Sequence, residues 1–123
     1  MRLLPLLLLV VCCAVKAEWV MMASSGDGSI EVFIDPKSVK PSGSYLRVWV
    51  LLNQKNIGEF GERSWVAYEE HDCREGRYRP LDLSSYSGSM GGGKKIRGMD
   101  EVGSWKFIRP NSLSSFHHDW LCK

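Results

Sequence analysis

Two cysteines constrain this chain more than any other feature. Four are present in all, but Cys12 and Cys13 lie in an apolar start, which leaves Cys73 and Cys122 for the part that folds. That start reads Met1-Arg2, then Leu3 to Val11, then Cys12-Cys13-Ala14-Val15-Lys16-Ala17. A positive beginning, a short apolar run and a Val-x-Ala end are the parts of a secretory signal peptide, with cleavage expected after Ala17. The run from Leu3 to Val15 is well short of the roughly 20 apolar residues of a spanning helix. A lipoprotein form acylated at Cys12 or Cys13 is the alternative. Val11 and Cys12 precede the two candidates, where a small Gly, Ala or Ser is the usual residue. An exported chain with two remaining cysteines joins them by default. A Cys73–Cys122 bridge would stabilise the fold by roughly 4 kcal/mol in the chain-entropy picture.

Loss of residues 1–17 also changes the charge. The chain carries 16 Lys+Arg and 14 Asp+Glu, and Arg2 and Lys16 leave with the leader, so 14 face 14. A neutral domain has no net field to steer a phosphate polymer, which argues against a nucleic-acid partner. Residues 18–123 suffice for one domain with a modest core.

Within it, β patterns alternate with turn residues. Glu18–Ala23 and Ser29–Ile34 read as two strands around a Ser/Gly/Asp turn, and Asp35-Pro36-Lys37-Ser38-Val39 as a corner capped by Asp35. Tyr45–Leu52 is the strongest strand: Leu46, Val48, Val50 and Leu52 share an apolar face, while Tyr45, Arg47 and Trp49 alternate opposite. Arg63–His71 and Arg77–Leu83 follow; Pro80 cannot donate to a ladder, which puts that strand at an edge or bulges it. An edge there would leave homodimerisation open. Ser84–Gly103 is polar and glycine-rich with little structural signal. Trp105–Ile108 makes a sixth strand, and Pro110-Asn111-Ser112 opens a helix capped by Asn111 or Ser112. Leu113, Phe116, Trp120 and Leu121 form one apolar stripe on that helix. The expectation is an α+β domain: an antiparallel sheet of about six strands with a C-terminal helix packed on it and one disulfide.

Chemistry is sparse. Gly88 to Lys95 approaches a P-loop, but Lys95 stands where the magnesium-binding Ser/Thr belongs and no helix pattern follows; a glycine-supplied turn is the expectation. Glu70-His71-Asp72 and His117-His118-Asp119 would be drawn together by the disulfide. Their spacing matches no zinc signature, so they are read as surface or interfacial histidines, with no metal and no cofactor assigned. A Cys73/His71/Asp119 nucleophile fails because a disulfide removes the thiolate. No catalytic residues emerge, and a non-enzymatic domain is expected. The binding candidates are Trp49, an aromatic opposite the apolar face of its strand, and Arg47, Arg77 and Arg79, which would frame it.

The order of landmarks resembles the bacterial surface-adhesin protein E-like family. The pieces are Trp19-Val20, Ile34-Asp35-Pro36-Lys37-Ser38-Val39, Arg47-Val48-Trp49, Tyr68-Glu69-Glu70-His71-Asp72-Cys73, Tyr86-Ser87-Gly88, Met90-Gly91-Gly92-Gly93, Trp105 to Ser112, and Cys122. The resemblance covers nearly all of residues 18–123. It implies a Gram-negative envelope protein, in the periplasm or at the cell surface, with an antiparallel sheet and C-terminal helix. The namesake adhesin binds host extracellular-matrix proteins from the outer membrane as a lipoprotein. A protein partner, host matrix or envelope, is therefore expected here, with membrane attachment only through a lipid. The alternative from another class is a secreted or periplasmic inhibitor of a cell-wall hydrolase such as lysozyme, inserting Ser42-Gly43-Ser44-Tyr45 or Gly88–Lys95.

Overall fold

The computed structural model describes residues 17–123. The leader expected over residues 1–17 and the acylation alternative at Cys12 or Cys13 thus lie outside the described residues, Ala17 apart. Eight antiparallel strands form one sheet: β1 Val20–Ser24, β2 Ile30–Ile34, β3 Lys40–Ser42, β4 Tyr45–Gln54, β5 Ser64–Asp72, β6 Arg77–Tyr86, β7 Lys95–Gly98 and β8 Lys106–Phe107. The main order is β1-β2-β4-β5-β6-β7, with β3 beside β4 and β8 beside β6. Among the described residues one α-helix, α1 Leu113–Leu121, covers one face. Among the described residues no helix is long and apolar enough to cross a membrane.

The long strand β4 is central because its period-two pattern is apolar on one side from Leu46 to Leu52. Its partner edge is shared: β2 pairs with Val50–Gln54 and β3 with Tyr45–Arg47. The corner between β2 and β3 fills the gap. Asp35 caps a turn at Pro36–Ser38 by accepting from the Lys37 N–H at 3.1 Å. The Asp35 N–H then donates to the Trp49 carbonyl, and the Trp49 N–H to the Ser38 hydroxyl. Gly43, at φ 61°, supplies the left-handed residue of the two-residue link between Ser42 and Tyr45.

Strand β6 is not an edge. It pairs with β5 on one side and with β7 and β8 on the other. The register steps from Tyr68↔Asp82 to Glu69↔Pro80, so Leu81 is the extra residue of a bulge. Pro80 sits between the stretches paired to β7 and β8, where the missing N–H is harmless, and its carbonyl accepts from Gly103 at 2.8 Å. The bulged alternative is the one realised. Eight strands replace the expected six because β3 and β7 are short and exposed, with no alternation to mark them.

Inward-facing residues build the core: Val32, Ile34, Val48, Val50 and Leu121, with Met22, Val39, Leu46, Leu52 and Leu113 packed against them. Ser112 occupies the N-cap position, yet its hydroxyl donates to the Arg109 carbonyl and leaves the helix N–H groups uncapped by a side chain. The expected stripe is only half right. Leu113 and Leu121 face the sheet, but Phe116 is 51% and Trp120 38% exposed. His117 and His118 take the inward positions instead. They are buried, not surface residues, because polar partners on β5 await them. The disulfide Cys73–Cys122, with Cα atoms 5.4 Å apart, locks the end of α1 to the turn after β5.

Candidate functional site

Strand alternation divides Tyr68–Asp72 between two faces. Tyr68, Glu70 and Asp72 lie on the face away from α1, with Tyr45, Arg47 and Trp49 of β4. Glu69 and His71 face the helix.

On the outer face, register lines up Arg47, Glu70 and Arg79 across three strands. Glu70 Oε2 accepts from Arg47 Nε at 2.8 Å, and Oε1 from Arg79 Nε and Nη2 at 3.0 and 2.8 Å. Burial opposes ionisation of Glu70, but these charge-assisted bonds more than offset it and hold its carboxyl below the usual range. One step along, Arg77 Nε donates to Asp72 Oδ2 at 2.9 Å. Burial opposes ionisation of Asp72 as well, and the Arg77 hydrogen bond outweighs it. The Arg77 and Arg79 guanidiniums each lie 4.5 Å from the Trp105 ring centre, and Tyr45 packs on the same ring at 5.1 Å. Trp49 is half-buried with its ring 4.7 Å from that of Tyr68. It also lines a hollow of about 270 Å³ with Ala17, Trp19, Asp35 and Val66.

The four residues singled out from sequence therefore share one face. Each arginine is anchored by a buried acid, and Arg77 and Arg79 stand against Trp105. A guanidinium carries five N–H donors, and these bonds use one each on Arg47 and Arg77 and two on Arg79. Trp105 and Tyr68 were not among the binding candidates, and Glu70 and Asp72 were singled out only as part of a histidine group. Parity along β5 was the available signal for Tyr68, Glu70 and Asp72; nothing local marked Trp105.

The same face is closed further along by the glycine-rich segment 88–93. Ser64 donates its hydroxyl to the Gly88 carbonyl at 2.6 Å and accepts from the Gly91 N–H at 2.9 Å, while Asn53 accepts from Met90. This loop lies down on Leu51 and Val66. Its Gly91 side is laid against the sheet, while Ser89, Met90 and the following Gly93, Lys94 and Lys95 are exposed.

On the inner face, Glu69 Oε1 accepts from His71 Nε2 and from His117 Nε2, both at 2.8 Å. His71 Nδ1 lies 2.8 Å from His118 Nδ1, and His118 Nε2 lies 3.7 Å from Cys122 Sγ. Burial works against the Glu69 carboxylate, yet the hydrogen bonds from His117 and His71 prevail and hold it down to about 2. Burial, then the neighbouring His71, lowers His118. His117 Nδ1 is buried with no partner. One candidate ligand atom from each of Glu69, His71 and His117 falls within 4.8 Å of the other two. Glu69 and His117 also line a cavity of about 360 Å³, walled mainly by Val32, Val50, Leu52, Trp65 and Leu113. Proximity of the two histidine groups follows from the disulfide, as expected. The acid that joins them is Glu69, on the inward parity, where sequence drew the eye to Glu70.

Comparison with known proteins places this geometry in context. A family model described as Surface-adhesin protein E matches residues 19–123. No curated protein matches the chain. Among solved structures, the selenomethionine form of Haemophilus influenzae protein E superposes with a TM-score of 0.67 at 14% identity, over 88% of each chain. Crystal form II of the same organism's protein E gives 0.66 at 11% identity, covering 87% of this chain and 91% of that one. Protein E from non-typeable Haemophilus influenzae gives 0.61 at 13% identity, over 85% and 75%. At such identities the likeness speaks for the fold.

Proposed function

Because the chain belongs to the surface-adhesin protein E family, we propose that it is an exported, non-enzymatic binding protein of a Gram-negative envelope. Residues 1–17 act as its leader and residues 18–123 as the binding domain. The partner is a protein of the host matrix or of the envelope, engaged through the outer sheet face around Trp49, Arg47, Arg77 and Arg79.

One observation supports this reading above the rest: the arginines stand on a rigid base. Buried acids fix one edge of each guanidinium, Trp105 stacks on two of them, and Trp49–Tyr68 adds an aromatic patch on the same face. Preorganised arginines and aromatics lose little conformational freedom on binding, which is why such groups dominate interface energetics. Unused N–H donors facing a carboxylate-bearing surface would give paired, directional bonds.

The test is binding of the disulfide-bonded protein to an immobilised host extracellular-matrix preparation and to outer-membrane extract, at low and high salt. Saturable binding that weakens with salt and falls at least about tenfold in Trp49→Ala and Arg47→Ala, each a loss of more than about 1.4 kcal/mol, supports the assignment. Binding that these variants leave untouched would move the site elsewhere. Absence of binding to both preparations would remove the adhesin reading.

A further inference from the structure

The inner-face histidine cluster carries an inference independent of the binding face. We propose that Glu69, His71 and His117 form a binding site for one divalent transition-metal ion of zinc type, its fourth coordination position opening to the adjacent cavity.

The donor set is the first support. Two imidazole nitrogens and one carboxylate oxygen suit zinc, and three protein ligands with one open position is a recurrent arrangement for that ion. The donors come from elements that the disulfide holds together: Glu69 and His71 from adjacent inward positions of β5, His117 from α1. Geometry is the second. Each imidazole Nε2 already lies 2.8 Å from the same carboxylate oxygen. Ligand atoms around tetrahedral zinc stand about 3.4 Å apart, given bonds of about 2.0–2.1 Å. Each carboxylate–imidazole pair needs to open by only about half an ångström, and the two imidazole donors lie within 4.8 Å of one another.

Access is the third. His71 is fully buried, but the Glu69 side chain keeps 11% exposure, and Glu69 and His117 line the cavity. An ion has a way in and space beside it for a water or an added ligand. An outer partner is also in place. His71 presents its other nitrogen to His118 Nδ1 at 2.8 Å, the kind of contact that fixes the orientation of a liganding imidazole.

The proton balance closes without a co-reactant. In the metal-free protein with neutral rings, His71 and His117 carry their protons on Nε2, donated to Glu69. His71 Nδ1 then accepts from His118 Nδ1–H. On coordination the metal takes both Nε2 positions, and the protons of His71 and His117 appear on Nδ1. His71 now donates to His118, whose proton passes to Nε2, beside Cys122 Sγ. Three ring protons are present before and after, and nothing is oxidised or reduced. The cost falls on His117, whose Nδ1 has no partner in either state.

The experiment is calorimetric titration of the metal-free, disulfide-intact protein with zinc chloride at pH 7.5. Binding of one ion per chain is expected. Glu69→Gln and His117→Ala should each lose more than the tenfold to hundredfold that removal of an outer partner typically costs, and His118→Ala should lose about that amount. No binding, or binding equally tight in His117→Ala, overturns the site. Should the ligand variants fail to fold, the wild-type protein decides alone. Zinc must move His71 and His117 from the Nε2–H to the Nδ1–H form in imidazole nitrogen NMR, and unchanged tautomers overturn the proposal.

Discussion

Glu70 holds two arginines from a side chain that is 2% exposed, while Arg47 and Arg79 keep 37% and 30%. The pair is thus unequal with respect to water. Glu70→Ala frees two guanidiniums that remain hydrated, and should cost about 1–3 kcal/mol, in the range of a lost charged hydrogen bond. Removing both arginines strands a buried carboxylate and should cost more, about 3–5 kcal/mol. Urea unfolding of the two variants measures the difference, and equal losses would show that Glu70 is hydrated after all. A second residue reports locally. Asp27, in the turn between β1 and β2, is lowered to about 2 by the Ser29 hydroxyl, the Ser29 N–H and the Ser25 hydroxyl. Its folded pKa lies below the ordinary 3.8, so this turn gains stability above pH 3.8 that is lost as pH falls through about 2. Carboxyl NMR titration should find Asp27 near 2, rising toward 3.8 in Ser29→Ala.

Helix α1 illustrates how far residue pattern reaches and where it stops. Its position, cap region and tie to Cys73 follow from Pro110-Asn111-Ser112 and the cysteine pair. Its buried face does not, because hydropathy ranks Phe116 and Trp120 above histidine, and only the buried carboxylate of Glu69 reverses that order. The same limit hid the cluster: a β-strand's parity puts Glu69 with His71, but which helix residues meet them depends on how α1 is rotated. Leu121→Ala should cost about 2–4 kcal/mol, whereas Phe116→Ser and Trp120→Ser should each stay within about 1 kcal/mol. Thermal unfolding of the three variants checks this reversal. Strand β4 was legible from Tyr45 to Leu52 by its alternation, and only its polar end at Asn53 and Gln54 was missed. The 88–93 loop was read only as a turn, and its fit is tight. Gly91 has φ +76°, and a Cβ there would meet Val66 Cγ2 at 3.3 Å. Gly91→Ala should therefore destabilise by about 1–2 kcal/mol, measured by denaturant midpoint.

For the molecule as a whole, the sheet order lay beyond the sequence, since register is a property of paired strands, whereas Pro80 announced the bulge beside it as one of two outcomes. The arginine row of the outer face depends on that register, so its members could be named while the anchoring role of Glu70 and Asp72 could not. The disulfide was legible from cysteine count and export alone. Reducing it, or Cys122→Ala, should lower stability by about 2–4 kcal/mol, with a matching drop in melting temperature. The bridge also sets a load path. A force applied between Trp19 and Lys123 enters through β1, runs to Cys73 and leaves directly through Cys122. The span between the cysteines, which stand 49 positions apart and enclose β6, Trp105 and α1, carries no tension. At about 3.5 Å per extended residue, some 170 Å of chain stays in reserve until the bond is cut. Pulled as an adhesin would be, this protein yields first in β1 to β5, and Arg77 and Arg79 ride on slack thread.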